Sequence, residues 1–285
     1  MQIATYETEG KISYGACRSG RIIDLPALFA AQGATDAPGD ALALIQAGEA
    51  GLASVRKALD AVAATGVDIG SVRLLPPIPN PPKVFCIGRN YAEHAREMGA
   101  TVDKSAPMFF CKPADAVVSD GADVPYPQAT SDLHHEVEMV VALGGGGRDL
   151  APEQAAALVW GYGVGLDLTR RDLQAAAKAK GHPWDVAKAF DHSAPVSALR
   201  PAHDVALDAG SVLRLTVNGE LRQQATLGEM VHDVPHIIAA LSTLFELKAG
   251  DLLFTGTPAG VAALQRGDRF HAELVGVAEL SGRVV

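Results

Sequence analysis

Three acidic side chains raise the first chemical possibility. In Asp132-Leu-His-His-Glu-Val-Glu-Met-Val-Val, extended backbone sends His134, Glu136 and Glu138 to one face and His135, Val137 and Met139 to the other. The run continues through Val140 to Leu143, apolar enough to be buried. Two neighbouring carboxylates on a core-directed strand repel each other and are costly to bury without a cation. A solvated strand face would explain the local pattern equally well. In Gly161-Tyr-Gly-Val-Gly-Leu-Asp-Leu-Thr, a strand puts Gly163, Gly165 and Asp167 on one face, and glycine leaves room for something to approach the backbone. Asp167 alone could be a structural cap partner. Together, Glu136, Glu138 and Asp167 form an oxygen donor set suited to a hard divalent ion, Mg²⁺ or Mn²⁺.

A second group could activate water. In Cys86-Ile-Gly-Arg-Asn-Tyr-Ala-Glu-His-Ala-Arg-Glu-Met-Gly, Asn90 is a good N-cap and Gly99 a good terminator, so a short helix is predicted from Asn90 to Met98. His94 and Glu97 then stand at i, i+3 and can touch. A carboxylate beside an imidazole fixes its tautomer and raises its basicity. An ordinary surface pair would show the same spacing. Lys188 lies in a mostly apolar stretch and needs an anion, either a substrate oxygen or a structural partner. Phe254-Thr-Gly-Thr-Pro-Ala-Gly-Val reads as a strand entering a glycine turn that could offer N–H groups and Thr257 to an anion, although a plain loop fits the spacing as well. Thr169 with Asp172 resembles a capping box for a helix from about Arg170 to Lys180, ended by Gly181. Gly144 to Gly147 lacks the spacing of a nucleotide loop. His203, His232 and His271 show no metal-ligand spacing and read as structural or surface residues.

The elements that must position these residues belong to a chain of 285 residues, 48% hydrophobic. Lys+Arg 24 against Asp+Glu 33 gives a net charge of −9, a poor match to nucleic acid or anionic membrane. No window approaches the ~20 apolar residues of a membrane span, and the start shows no basic-then-apolar leader. Cys17, Cys86 and Cys111 are odd in number and lack CxxC spacing. A reduced, cytoplasmic protein is expected. QIATY, KISYGAC and RIIDL read as strands broken at Glu9-Gly10 and Ser19-Gly20. Leu52, Val55, Leu59 and Val62 recur at helical spacing before Gly66. The proline-rich LLPPIPNPPK can hold neither helix nor central strand. The expected partition is a small N-terminal domain at 1–75, a linker at 76–82 and a catalytic domain at 83–285. Asn218-Gly219 between two apolar runs predicts a hairpin, and His236 to Phe245 a helix capped by Asp233. Strands without regular βαβ alternation predict an α+β, mainly β, fold.

GRNYAEHAREMG, KPADAVV, HHEVEMVVAL, GLDLTRRDLQ, PWDVAKAFDHSAPV and FTGTPAGV, in this order, resemble the fumarylacetoacetate hydrolase family. The likeness runs from about Lys83 to the C-terminus, and TRRDLQ with KGHPWDVAKAFDHSAP looks closest to the acylpyruvate-cleaving branch. The resemblance implies a mixed β-roll with a small N-terminal α/β domain, assembled as a homodimer. It makes Glu136, Glu138 and Asp167 ligands of Mg²⁺ or Mn²⁺. It makes His94 and Glu97 the water-activating dyad, with Lys188 as a third catalytic group. Arg89, Tyr91, Arg171, Gln174 and Thr257 become substrate-binding positions. The implied reaction is hydrolysis of a 2,4-diketo acid, such as fumarylpyruvate or maleylpyruvate, to pyruvate and a carboxylic acid. The divalent ion chelates the keto acid as a Lewis acid. An oxaloacetate-type decarboxylase and a diene-diacid isomerase would share that metal chemistry. A non-catalytic metabolite binder would have no need of the dyad.

Overall fold

In the computed structural model, which describes every residue except 36, 62–65, 100 and 103, the chain opens with antiparallel strands Gln2–Thr8, Lys11–Arg18 and Arg21–Asp24. Both connections are two-residue turns with positive φ at Glu9-Gly10 and Ser19-Gly20, the geometry that matches strand twist in a hairpin. Val67–Asp68 and Arg73–Leu75 complete a five-stranded sheet. The Gly48–Asp60 helix buries Leu52, Val55 and Ala58. It stops before Gly66, which instead sits against the backbone of Ile22; Val62 lies outside the described residues.

The centre of the molecule is a six-stranded sheet. Its spatial order is Arg200–Pro201, Val159–Leu166, Val137–Leu143, Leu252–Phe254, Val84–Gly88 and Met108–Lys112. Val137–Leu143 is buried along its whole length. Its alternating side chains feed two apolar clusters. Val137, Met139, Val141 and Leu143 pack with the second large sheet, through Leu213, Leu215, Ala272 and Leu280, and with the Val234–Leu244 helix. Val140 and Ala142 join a cluster reaching Ile3, Leu25 and Leu44 of the first ninety residues. Burial on both faces explains why this strand reads as a continuous apolar run.

The second large sheet runs Glu220–Thr226, Val212–Val217, Arg269–Leu274, Ala278–Val284 and Asp123–Val124. Its first hairpin turns at Asn218 and Gly219, both at positive φ, as their types require. Asp233 caps the Val234–Leu244 helix by accepting from the His236 N–H. The architecture is mixed α+β and dominated by strands, as expected from the sequence. Among the described residues, no helix is long and apolar enough to cross a membrane.

Candidate active site

Sheet register brings the three carboxylates together. Glu136 stands in the break between Leu133–His135 and Val137–Leu143, and Glu138 on the face shared with Val140 and Ala142. Val137 pairs with Leu166 and Glu138 with Gly165, so Asp167 leaves the end of its strand beside Glu136. The Asp167 N–H donates to the Glu136 carbonyl at 2.8 Å. One oxygen from each carboxylate lies within 4.8 Å of the others, and all three residues are at most 5% exposed. This is not a solvated strand face.

Cations surround the cluster unevenly. Lys188 Nζ lies 2.9 Å from Glu136 Oε2 and 2.5 Å from Asp167 Oδ2. Its anionic partners are therefore the acidic cluster itself. Burial opposes the Lys188 charge, yet Asp167 and Glu136 outweigh it and hold the ammonium above the ordinary lysine value. Burial likewise works to raise Glu136, but Lys188 and Arg171 hold it far below the usual carboxylate range. Arg171 reaches Glu136 Oε1 at 2.5 Å and donates to Gln174 Oε1 at 2.7 Å. Glu138 has no such partner among the described residues. Burial first, then Asp167 and Glu136, push it well above the usual range. Its Oε2 accepts from the Gly256 N–H at 2.6 Å. Three convergent hard oxygens with one under-compensated carboxylate fit a divalent ion, which would relieve that repulsion.

Lys112 belongs to the same centre and was missed by sequence reasoning. It ends the Met108–Lys112 strand, fully buried, with Nζ 2.9 Å from Asp167 Oδ1. It also donates to Ser193 Oγ at 2.9 Å, to the Leu168 carbonyl at 3.3 Å and to the Lys188 carbonyl. The available signal was a lysine closing an apolar strand, where burial demands an anion.

The dyad stands on a separate element. The helix spans Ala92–Glu97, shorter than expected at both ends, and Gly99 follows it at positive φ. Asn90 is not its cap. The Asn90 amide donates to the carbonyls of His232 and Thr255, and its Oδ1 accepts from the His232 N–H. Asn90 therefore ties this arm to two distant segments. His94 Nδ1 sits 3.2 Å from Glu97 Oε2. With the Glu97 carboxylate as acceptor, Nδ1 is the donor and Nε2 keeps its lone pair. Glu97 is also held by the Gly260 N–H at 3.1 Å. The FTGTPAG turn thus does offer N–H groups to anions, and those anions are Glu138 and Glu97.

His94, Arg89, Arg171, Gln174, Lys188 and Thr257 line one narrow cleft of about 30 Å³ with the three carboxylates. Thr257 Oγ1 accepts from Gln223 Nε2 at 2.8 Å, which holds it in the wall. Tyr91 does not line the cleft. It is buried beside Met230, and burial pushes its phenol up. Glu97 is not among the described residues that line the cleft; it touches His94, which does line it. One local expectation is corrected. Thr169 and Asp172 form no capping box: Asp172 accepts from Thr130 and Ser131, and the Thr169 hydroxyl donates to the Asp167 carbonyl. The groups approaching Gly163 and Gly165 are the protein's own, Ser197 and Leu199 at the first, Phe254 and Val140 at the second.

Comparisons with known proteins place the chain among relatives of one family. Residues 83–285 match the family model described as fumarylacetoacetate (FAA) hydrolase C-terminal. The chain is 45% identical over 187 residues to the oxaloacetate tautomerase YcgM of Escherichia coli, spanning 65% of this chain and 85% of that one. A crystal structure of fumarylpyruvate hydrolase from Pseudomonas aeruginosa, in complex with Mn²⁺ and pyruvate, is 48% identical. It covers 71% of this chain and 89% of its own, with a TM-score of 0.69. Maleylpyruvate hydrolase from Sphingobium sp. SYK-6, in complex with manganese(II) ion and pyruvate, is 29% identical and covers 100% of this chain and 99% of its own, with a TM-score of 0.81.

Proposed function

The chain belongs to the fumarylacetoacetate hydrolase family, and from that premise we propose that it is a divalent-metal-dependent hydrolase cleaving the C3–C4 bond of an acylpyruvate such as fumarylpyruvate or maleylpyruvate. The observation that carries the reading is the His94–Glu97 pair, a base with a fixed tautomer, opening on the same cleft as three convergent carboxylates. Two similar proteins named as hydrolases of this kind are described with manganese and pyruvate together.

Glu136, Glu138 and Asp167 would hold the ion. When bound, it supplies Lewis-acid polarisation of the keto-acid oxygens. The chain's own residues do the rest. Gly260 fixes Glu97, and Glu97 fixes His94. His94 Nε2 takes a proton from water, and the hydroxide adds to the C4 carbonyl. The C3–C4 bond breaks with its electron pair passing to C3, which is then protonated to give pyruvate. The acyl fragment leaves as a carboxylic acid. Lys188 and Arg171 offset negative charge that develops beside the carboxylate cluster. Gln174, oriented by Arg171, and Thr257, oriented by Gln223, bind substrate or the attacking water.

A second reading rests on the 45% identity to an oxaloacetate tautomerase. Tautomerisation moves a proton between C3 and the C2 oxygen and consumes no water. A panel of acylpyruvates with pyruvate detection, run beside the enol–keto conversion of oxaloacetate, separates the two. Pyruvate release from at least one acylpyruvate is expected. Its absence, with rapid oxaloacetate tautomerisation, would move the assignment to the tautomerase.

A further inference from the structure

Gln223 does not line the cleft, yet its side chain reaches both walls of the site. It lies on the Glu220–Thr226 strand, which carries a bulge against Leu215 and Thr216 of its neighbour. Leu215 pairs with Gln223 and Thr216 with Leu221, so Arg222 is the extra residue. Regular pairing would put Arg222 opposite the buried Leu215. The bulge puts Gln223 there instead and leaves Arg222 exposed.

The Gln223 carboxamide is 1% exposed and uses all four of its hydrogen-bonding positions. Its Oε1 accepts from the Val137 N–H at 3.1 Å and from His135 Nδ1 at 2.9 Å. Its Nε2 donates to the Pro258 carbonyl and to Thr257 Oγ1, both at 2.8 Å. A backbone N–H at one end and a backbone carbonyl at the other fix which end is oxygen, so the amide cannot flip. His135, buried behind it, must then donate from Nδ1. The same reasoning settles Thr257. Its oxygen receives an N–H, so its own proton is left to donate elsewhere, and among the described residues that proton has no acceptor. Thr257 itself lines the cleft. Filling buried polar positions accounts for the bonds to Val137 and Pro258. It does not account for a hydroxyl held with its proton unused on the cleft wall.

We propose that Gln223, with His135 behind it, is a positioning residue that presents the Thr257 hydroxyl to the cleft as a hydrogen-bond donor for an anionic oxygen of the substrate. The inference rests on the keto-acid reading of the cleft and adds two residues that do not line it.

Calorimetric titration of the Mn²⁺-loaded protein with oxalate, an anion that mimics a pyruvate enolate, reads the donor without turnover. A hydrogen bond to a charged oxygen corresponds to roughly 10- to 100-fold in affinity. Thr257→Val should weaken oxalate binding by about that factor, and Gln223→Met by a similar one. Because Gln223 acts through the hydroxyl, adding Gln223→Met to Thr257→Val should weaken binding by less than about threefold more. His135→Asn keeps a donor near the Nδ1 position and should bind oxalate as the parent does, whereas His135→Leu should bind more weakly. That pair decides the question if Gln223→Met does not fold. Losses that multiply in the double variant, parental affinity in Gln223→Met, equal affinity in His135→Asn and His135→Leu, or no oxalate binding by the parent would overturn the proposal. If no acylpyruvate is cleaved but the coupling between Gln223 and Thr257 is found, the hydrolase reading fails and the positioning role stands.

Discussion

The carboxylate centre and the dyad arm are built on opposite principles. Glu136, Glu138 and Asp167 are fixed by strand register in the middle of the six-stranded sheet, with Lys112, Lys188 and Arg171 locked around them. All of those side chains except Arg171, at 12% exposure, are nearly shut off from water. His94 and Glu97 ride on a six-residue helix outside the sheet, held by the amide of Asn90 and one N–H of Gly260. Glu97 keeps about a third of its side chain exposed, whereas His94, at 7%, is as buried as the carboxylates. A centre that must concentrate like charges needs a rigid frame, because repulsion would otherwise separate them. A base that must meet water can stand on a lighter support. The two functions should therefore come apart on mutation.

The largest effect is expected in the rigid half. Asp167→Asn, Glu136→Gln or Glu138→Gln keeps size but removes a charge that the cation needs. Each should abolish Mn²⁺ binding in calorimetry, and acylpyruvate cleavage with it, while circular dichroism stays native. Full activity in two of the three, in metal-depleted buffer, would end the proposed ion site. Next comes Lys112→Met. Breaking a buried ion pair typically costs about 3–5 kcal/mol, because the remaining charge is stranded. Urea unfolding of metal-free protein should show a loss of that order. Excess Mn²⁺ should recover more stability in Lys112→Met than in the parent, since the ion takes over part of the charge on Asp167. Equal recovery in both would mean that Lys112 only supports packing. The smallest effect is expected in the lighter half. Asn90→Ala strands partners of His232 and Thr255, at a cost of about 1–3 kcal/mol. Here the loss should be the same with and without Mn²⁺; a metal-dependent loss would tie the arm to the carboxylate centre.

Legibility in the sequence followed the range of the interactions. Strand alternation brought out Glu136 and Glu138, and i, i+3 spacing brought out His94 with Glu97, because both patterns are local. The Asn218-Gly219 hairpin and the Asp233 cap were legible for the same reason. Asn90 was misread as a cap because its partners, His232 and Thr255, come from 142 and 165 residues away. Asp172 looked like half of a capping box but is taken by Thr130 and Ser131, about forty residues upstream. Lys112 is bound to groups between 55 and 81 residues away. No local spacing encodes such contacts. The glycines of Val159–Leu166 showed that something approaches closely, without distinguishing a ligand from the protein's own side chains.

The central claim is that His94 makes hydroxide and leaves metal binding to the carboxylates. The direct measurement is fumarylpyruvate cleavage and Mn²⁺ binding, side by side, in His94→Ala. Loss of a general base lowers rates by about 10²- to 10⁴-fold. Cleavage should fall within that range while Mn²⁺ binds as in the parent, and Glu97→Gln should follow in the same direction. Cleavage at the parental rate, or loss of Mn²⁺ binding together with cleavage, would contradict the division of labour between the dyad arm and the carboxylate centre.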